Sequence, residues 1–192
     1  MRPPGPLTEG LRAFVQTLPR CCRVVEVGSY AGESAAIFLE RAGEVWCVDS
    51  WTPYVERNDS SVDGVLNPWE AERKFDLFAA EHHGHVFKVK LASPGAALFF
   101  PRQWADCVYI DENHERDAVI AGIIAWGPVV KPGGVLAGHD YGTSHFTGVT
   151  AAVKQCFGDR VRQFEDTTWA VEVGSDGLVQ GAGAGEPGRG QA

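Results

Sequence analysis

Short apolar runs alternate with segments of helical periodicity along most of this chain, and most of the runs end at a glycine or a carboxylate. The runs are 23–27, 44–48, 86–89, 106–110 and 134–137, and the helical segments are 7–18, 34–41, 67–82, 93–99, 115–126 and 147–157. This alternation predicts a Rossmann-like α/β fold, with a mostly parallel central sheet and helices on both faces. Residues 161–164 and 169–173 are expected to add a closing hairpin.

The length of 192 residues suits one domain with a single core. We expect residues 1–173 to form that domain. Residues 174–192 are rich in glycine and poor in apolar side chains, so they cannot bury enough surface to offset the entropy of ordering them. That segment is expected to be a disordered tail.

Charge and composition narrow the class of partner. The net charge of −8 argues against a nucleic-acid or anionic-membrane surface, since both need clustered Lys and Arg. No run approaches the roughly 18 apolar residues of a membrane span, and the proline-rich start does not resemble a signal peptide. The 5 cysteines have no metal-type spacing and fall mostly in apolar runs, so we expect reduced thiols and a cytoplasmic location.

The loop after the first apolar run carries the strongest local signal. Gly28 and Gly32 allow a sharp turn, and the helix that follows offers unpaired backbone N–H groups. Glu26 occupies the first glycine position of a dinucleotide fingerprint. A carboxylate there would repel a pyrophosphate but attract the ammonium of a methionine, which disfavours a nicotinamide dehydrogenase.

Asp49 ends the second apolar run, about 20 residues after the glycine loop. A carboxylate in that place can accept both ribose hydroxyls of a nucleoside. The alternatives are a helix-capping or a solvated side chain at Asp49, and a purely structural turn at 28–32.

Four segments together resemble class I S-adenosylmethionine-dependent methyltransferases: EVGSYAG at 26–32, VDSW at 48–51, YIDENH at 109–114 and KPGGVLAGHDY at 131–141. The resemblance covers roughly residues 24–157. It is strongest to the branch of small-molecule and sugar O-methyltransferases that are related to catechol-type, metal-dependent enzymes.

The resemblance implies a cofactor site for S-adenosylmethionine. The residues implied to line the methionine half are Glu26, Gly28, Ser29, Tyr30, Gly32 and Ser34. Asp49 would hold the ribose, with Ser50 and Trp51 flanking the adenosine. The segment 91–93, including Ser93, would lie near the adenine, and Asp111 would also face the cofactor.

Asp111, His139 and Asp140 would converge if the fourth and fifth strands are neighbours. Two adjacent carboxylates repel unless they share a proton or bind a cation. In the catechol-type relatives the corresponding positions hold magnesium, but His139 stands where an oxygen ligand is usual. Imidazole suits manganese or other transition metals better. The alternatives are that His139 is not a ligand, or that Asp111 contacts cofactor or substrate directly and no metal binds.

His114 follows Asp111 by three residues, at the offset of a general-base lysine in the catechol-type relatives. An imidazole with an ordinary pKa near ~6.5 is a suitable base near neutral pH. The alternative is a helix-start residue that is hydrogen-bonded to Asp111.

The connection 51–69 is long for a compact domain, and we expect it to act as a lid over the acceptor, with Trp51, Tyr54 and Trp69 as apolar walls. The alternative is that these aromatic rings pack on the core under the loop. Its polar contacts would come from Arg57, Asp59 and Asp63. The histidines at 82, 83 and 85 lead into the amino end of a strand, so we expect them to be solvated surface residues.

The sequence therefore predicts O-methylation of a small hydroxylated metabolite, such as a sugar or a phenolic unit, with or without a divalent cation such as Mg or Mn. No nucleic-acid or membrane partner is expected, and a homodimer stays open. One alternative is a metal-dependent, hydroxylase-like oxidation enzyme in which Asp111, His114 and His139 hold iron. Another is a module that binds the cofactor without turnover.

Overall fold

The computed structural model describes residues 6–52 and 67–174. The strands in this part of the chain are β1 (Cys22–Val27), β2 (Ala42–Asp49), β3 (Val86–Lys90), β4 (Ala105–Ile110), β5 (Val130–Gly138), β6 (Arg162–Gln163) and β7 (Trp169–Glu172). The α-helices are α1 (Pro6–Val15), α2 (Glu33–Phe38), α3 (Pro68–Glu81), α4 (Arg116–Trp126) and α5 (Thr147–Phe157). Short 3₁₀ turns cover Gly95–Phe99, Gly127–Val129 and Gly158–Arg160.

The strands form one sheet in the order β3-β2-β1-β4-β5-β7-β6. Strands β1 to β5 pair in parallel, whereas β7 runs antiparallel to both β5 and β6. This confirms the predicted Rossmann-like α/β fold and the closing hairpin. The strand order reverses at β1, which lies between β2 and β4, and ligands of such sheets bind beyond the strand ends at that point.

The register of the sheet aligns the carboxyl ends of its central strands. Val27 pairs with both Val48 and Ile110, and Ile110 pairs with Gly138. The residues that follow these strand ends are therefore neighbours at one edge of the sheet. The predicted convergence of the fourth and fifth strand ends is confirmed by this register.

Helices cover both faces of the sheet, as predicted. One layer packs around α1, α2 and α3, with Phe14, Phe38 and Phe75 fully buried against the strands. The other layer packs around α4 and α5, with Trp126 and Trp169 buried.

Four of the cysteines are buried and Cys21 is exposed, and all are free thiols.

Three helix boundaries differ from the predicted ones. The predicted helix 7–18 ends at Val15, because residues 17 and 18 continue in a turn with i→i−3 hydrogen bonds, which still buries Leu18. The predicted helix 34–41 ends at Phe38 in the same way. Residues 93–99 contain a 3₁₀ turn instead of an α-helix. Apolar spacing alone does not distinguish these tight turns from a helical turn.

The start of α3 and the bounds of α5 agree with the sequence. The side chain of Asn67 accepts a hydrogen bond from the backbone N–H of Glu70 (3.0 Å), and Pro68 is the first helical residue. Most of the predicted lid, including Tyr54, Arg57, Asp59 and Asp63, lies outside the described residues, as does the predicted tail from 175 onward. Among the helices of the described residues, none is long and apolar enough to cross a membrane.

Candidate active site

A cavity of about 500 Å³ opens at the carboxyl edge of the sheet. The loop after β1 lines it, and so do the residues that follow β4 and β5, including Asp111 and His139. The first helix adds Thr8, Leu11 and Arg12 to the lining. No local pattern pointed to α1 as part of the site, because its apolar face is typical of ordinary core packing.

The glycine loop is packed tightly against the end of β4. Gly28 has φ +95°, and a Cβ atom there would lie 1.9 Å from the carbonyl oxygen of Asp111. Gly32 has φ +86°, and a Cβ atom there would lie 2.6 Å from the ring of Phe78. Both positions therefore require glycine for conformation and for space.

Asp49 ties the loop after β1 to the loop after β2. Its carboxylate accepts hydrogen bonds from the backbone N–H of Tyr30 (3.0 Å) and of Trp51 (2.7 Å). The indole N–H of Trp51 donates to the carbonyl of Tyr30 (2.7 Å), while its ring packs on Phe75 and is only 3% exposed. The Trp51 ring is therefore a core element here, not the wall of an open loop.

Glu26 is a fully buried carboxylate in β1. No described residue donates a hydrogen bond to either of its carboxylate oxygens. Burial raises its pKa to about 7 against the opposing effect of the nearby Ser34 and Ser29 hydroxyls, and the negative charge of Asp111 adds to the rise. A buried carboxyl without a partner is costly in free energy, and a positively charged ligand group would relieve that cost.

Asp111, His139 and Asp140 come together at the ends of β4 and β5. Each offers one ligand atom, and these atoms all lie within 4.8 Å of one another. The carboxylate of Asp140 contacts two imidazoles: its Oδ2 lies 2.9 Å from Nε2 of His114, and its Oδ1 lies 3.4 Å from Nδ1 of His139. Burial opposes the charge of Asp140, but the bonds to both histidines outweigh it and lower the pKa.

His139 is surrounded by acidic groups. Burial lowers the pKa of its imidazole, but the hydrogen bond to Asp140 and the charges of Asp111, Asp140 and Asp166 prevail and raise it to about 9. Its Nε2 atom lies 3.3 Å from Oγ1 of Thr167 and 4.0 Å from Oδ2 of Asp166. The sequence analysis did not identify Asp166 or Thr167, because a hairpin turn carries them there.

His114 is held between a carboxylate and an aromatic ring. Its imidazole stacks on Phe146, with centroids 3.9 Å apart and the rings 21° from parallel. A Cβ atom at Gly148 would lie 2.3 Å from the backbone oxygen of His114, so the start of α5 packs directly on this segment. The ring orientation of His114 is thus set by Asp140 on one side and Phe146 on the other.

Ser93 is joined to a carboxyl that the sequence analysis overlooked. Its hydroxyl donates to Glu112 and accepts from the indole N–H of Trp126 (3.1 Å). Burial and the charge of Asp49 raise the pKa of Glu112. Glu112 thereby links the segment near Ser93 to the loop after β4. The hydroxyl of Ser50 is hydrogen-bonded to Thr52 in the exposed loop after β2.

The histidines at 82 and 85 contact backbone groups away from this edge. Nδ1 of His82 pairs with the carbonyl of Phe78 (2.9 Å), and Nδ1 of His85 pairs with that of Gly43 (2.9 Å). His83 is exposed. These contacts agree with the predicted surface role.

A family model described as a methyltransferase domain matches residues 25–141, which is more than half of the chain. The matched range begins in β1 and ends just after His139 and Asp140. The chain belongs to the class I S-adenosylmethionine-dependent methyltransferases.

Solved structures share the fold of this methyltransferase at low identity. A protein from Corynebacterium glutamicum is 12% identical with a TM-score of 0.61, over 91% of this chain and 83% of that one. An rRNA methylase from Streptococcus thermophilus is 11% identical with a TM-score of 0.57, over 90% of this chain and 98% of that one. No curated protein matches the methyltransferase by sequence.

A third structure is that of the 1,6-didemethyltoxoflavin-N1-methyltransferase of Burkholderia thailandensis. It was solved with bound 1,6-didemethyltoxoflavin and S-adenosylhomocysteine. It is 14% identical with a TM-score of 0.50, and it is matched over 86% of this chain. The methyltransferase described here spans 59% of the length of that enzyme. At such identities the likeness shows the fold alone.

Proposed function

We propose that this methyltransferase transfers the methyl group of S-adenosylmethionine to a hydroxyl of a small metabolite, such as a sugar or a phenolic unit. Asp111, His139 and Asp140 would hold a divalent cation, and His114 would accept the proton. The observation that carries the proposal is the contact between His114 and Asp140 beside Asp111, because Asp111 lines the same cavity as the glycine loop.

The residues at the glycine-loop end fit S-adenosylmethionine. The buried carboxyl of Glu26 suits the ammonium of the methionine, and Gly28 lets the loop after β1 pack closely against Asp111 at this end of the cavity. Asp49 would hold the ribose. Further contacts are proposed for Ser29, Tyr30, Gly32, Ser34, Ser50, Trp51, Ser93 and Asp111. When bound, the cofactor supplies a sulfonium methyl, and the chain contributes proximity and orientation.

The donor set at the other end fits a divalent cation. Two carboxylates and one imidazole suit Mn²⁺ better than Mg²⁺, which prefers oxygen ligands. A cation held by Asp111, His139 and Asp140 would lower the pKa of an acceptor hydroxyl. It would also relieve the repulsion among the carboxylates that surround His139.

His114 is suited to be the general base. Its imidazole is only partly exposed, and Asp140 and Phe146 fix its orientation. A carboxylate hydrogen-bonded to an imidazole stabilises the imidazolium that forms when the ring takes a proton.

The lining of the cavity favours a small amphipathic acceptor. Leu11 and Ile37 offer apolar surface, and the Arg12–Glu40 ion pair (2.8 Å) lies at its exposed side. The net charge of −8 also disfavours a polynucleotide. The hydroxylase-like alternative is not favoured, because the matched family is one of methyltransferases.

The test is a transfer assay with trideuteromethyl-labelled S-adenosylmethionine and a panel of sugars, phenols and ribosomal RNA, read by mass spectrometry. A small hydroxylated product whose formation is reduced by a chelator and restored by Mn²⁺ supports the proposal. Transfer of the methyl group to RNA alone would reject the proposed class of acceptor. Transfer to a small acceptor that a chelator does not affect would reject the proposed cation.

A further inference from the structure

The cavity is bounded by α1 as well as by the glycine loop and α2. Helix α1 contributes Thr8, Leu11 and Arg12, which share one face of the helix because they are three and four residues apart. Residues 33, 34, 36, 37 and 40, in α2 and the turn after it, line the facing side. The proposed methionine site therefore continues into a space between the two helices, where Arg12 and Glu40 are paired.

Arg12 is the one arginine or lysine among the described residues that line the cavity. Four carboxyl groups line it as well, those of Glu33, Glu40, Asp111 and Asp166. They would repel an anionic group of a ligand, so such a group is stable only against a positive charge. His139 is the other basic residue of the lining, but the charges of three aspartates act on it. Arg12 is therefore the best place for a ligand anion.

The guanidinium of Arg12 is only partly used in its ion pair. Its Nε donates to Oε1 of Glu40 at 2.8 Å, and no described residue accepts a hydrogen bond from Nη1 or Nη2. A guanidinium has five N–H donors in a fixed plane, and two of them can bind the two oxygens of one carboxylate in parallel. Arg12 can thus stay paired with Glu40 and still bind a second carboxylate.

Two kinds of ligand would bring a carboxylate to this cavity. In S-adenosylmethionine, the methionine part carries an ammonium and a carboxylate on the same carbon, so a carboxylate has to lie close to any ammonium that Glu26 holds. Ser29, Tyr30 and Ser34, which are proposed around that part of the cofactor, line the cavity together with Arg12. A phenolic or sugar acid would bring the same chemical group as an acceptor.

We propose that Arg12 is a carboxylate-binding residue of this cavity, which holds a ligand carboxylate through Nη1 and Nη2 while Nε stays paired with Glu40. The source of the carboxylate is either the cofactor or an acidic acceptor. The acceptor source rests on the proposed function, whereas the cofactor source requires only the cofactor of the family.

The first test is calorimetry with two probes, S-adenosylhomocysteine and the analogue that lacks only its carboxylate. Arg12→Gln should weaken binding of S-adenosylhomocysteine by about 10- to 100-fold, the range of a lost hydrogen bond to a charged group. Binding of the decarboxylated analogue should be unchanged, because it has no group for Arg12 to hold. Arg20→Gln is the matched control, since Arg20 is exposed and does not line the cavity.

Glu40→Gln separates ligand binding from helix packing. It breaks the same ion pair but keeps the guanidinium, and it removes one negative charge from the lining. If Arg12 holds the carboxylate, Glu40→Gln should bind S-adenosylhomocysteine at least as tightly as the wild type. A loss of affinity that is equal for the two probes, or equal in Arg12→Gln and Glu40→Gln, would mean that Arg12 only joins the two helical segments and would overturn the inference.

Arg12→Lys decides the question if Arg12→Gln does not fold. It keeps the charge but not the planar fork of donors, so it should weaken binding of S-adenosylhomocysteine without affecting the decarboxylated analogue. Unchanged binding of both probes would reject the cofactor as the source of the carboxylate.

The second test addresses an acidic acceptor. Protein saturated with S-adenosylhomocysteine is titrated with para-hydroxybenzoate and with its neutral amide. A preference for the acid that Arg12→Gln removes and Arg20→Gln keeps would assign Arg12 to the acceptor. If Arg12→Gln has no effect in either test, the inference is wrong. Neither test needs a cation or turnover, so a failure of the proposed methyl transfer is distinguishable from a failure of the role of Arg12.

Discussion

Nε2 of His114 lies 2.9 Å from Oδ2 of Asp140, so the histidine that follows β4 is paired with the carboxylate that follows β5. The other oxygen of Asp140 contacts His139. One carboxylate thus fixes two imidazoles, and both line up at the edge where the sheet register brings the two strand ends together. We therefore expect a change at Asp140 to separate cofactor binding from chemistry.

Asp140→Asn should reduce kcat by about 10²- to 10⁴-fold, the range of a lost general-acid–base partner. The carboxylate no longer orients His114 or contributes to a cation site, whereas the glycine loop is untouched. S-adenosylhomocysteine affinity, measured by calorimetry, should stay at the wild-type value. Asp117→Asn, which changes an exposed carboxylate on α4, is the control. Full activity of Asp140→Asn would contradict the proposed site.

Asp49→Ala should weaken S-adenosylhomocysteine binding by about 10- to 100-fold, since a hydrogen bond to a charged group contributes roughly 1.5–3 kcal/mol. The variant loses the proposed ribose contact and frees the N–H groups of Tyr30 and Trp51. Calorimetry gives the dissociation constant, and circular dichroism checks that the variant is folded. Unchanged affinity would exclude Asp49 from the cofactor site.

Gly28→Ala should lower the free energy of unfolding by much more than an alanine in this backbone conformation costs by itself. Its new methyl group would meet the Asp111 carbonyl at 1.9 Å. Gly84→Ala is the matched control: it has a similar φ of +88° but nothing within 4 Å, so it should lose only about 1–2 kcal/mol. Urea unfolding measures both variants. Equal losses would mean that the loop moves to accept the methyl group.

Glu26 should make stability depend on pH. Its folded-state pKa of about 7 lies above the ordinary 4.5, so the folded protein binds this proton more tightly than the unfolded chain does. The stabilisation is complete below pH 4.5 and is lost as pH rises through 7, with a total of about 3 kcal/mol. Glu26→Gln should remove this component of the pH dependence.

Urea unfolding at pH 5 and pH 8 checks the Glu26 prediction, with Glu165→Gln as the control for an exposed acid. The free energy of unfolding is compared between the two pH values for each protein. If its change with pH is the same in the wild type and in Glu26→Gln, Glu26 does not titrate in this range. Addition of S-adenosylhomocysteine should stabilise the wild type more than Glu26→Gln at pH 8, because its ammonium would pair with the ionised carboxylate.

The sequence was sufficient for the features that depend on local patterns. The apolar runs predicted β1 to β5, and the polar residues after them predicted the edge at which Asp49, Asp111 and His139 meet. The predicted start of α3 at residue 67 agrees with the Asn67 cap in the structure, because capping is a local interaction. In a parallel sheet, the strand ends share one edge whatever the details of the loops, so this level of prediction needs no side-chain packing.

The features of the site that the sequence did not reveal depend on contacts between residues far apart in the chain. Asp166 reaches His139 only because β7 pairs antiparallel with β5, a register that no spacing along the chain encodes. The sequence left Trp51 open as either the wall of a lid or a core residue, and the packing of its ring on Phe75 places it in the core. Glu112 was read as part of a motif, and its link to Ser93 depends on how the segment after β3 folds back over α4.

The most direct test of the account is a calorimetric titration of the full-length protein with S-adenosylhomocysteine. We predict one site with a dissociation constant in the micromolar range, weakened in Asp49→Ala and unchanged in Asp140→Asn. A folded wild-type protein that shows no binding, or an Asp140→Asn variant that loses binding as Asp49→Ala does, would contradict the assignment of cofactor binding and chemistry to separate parts of the candidate site.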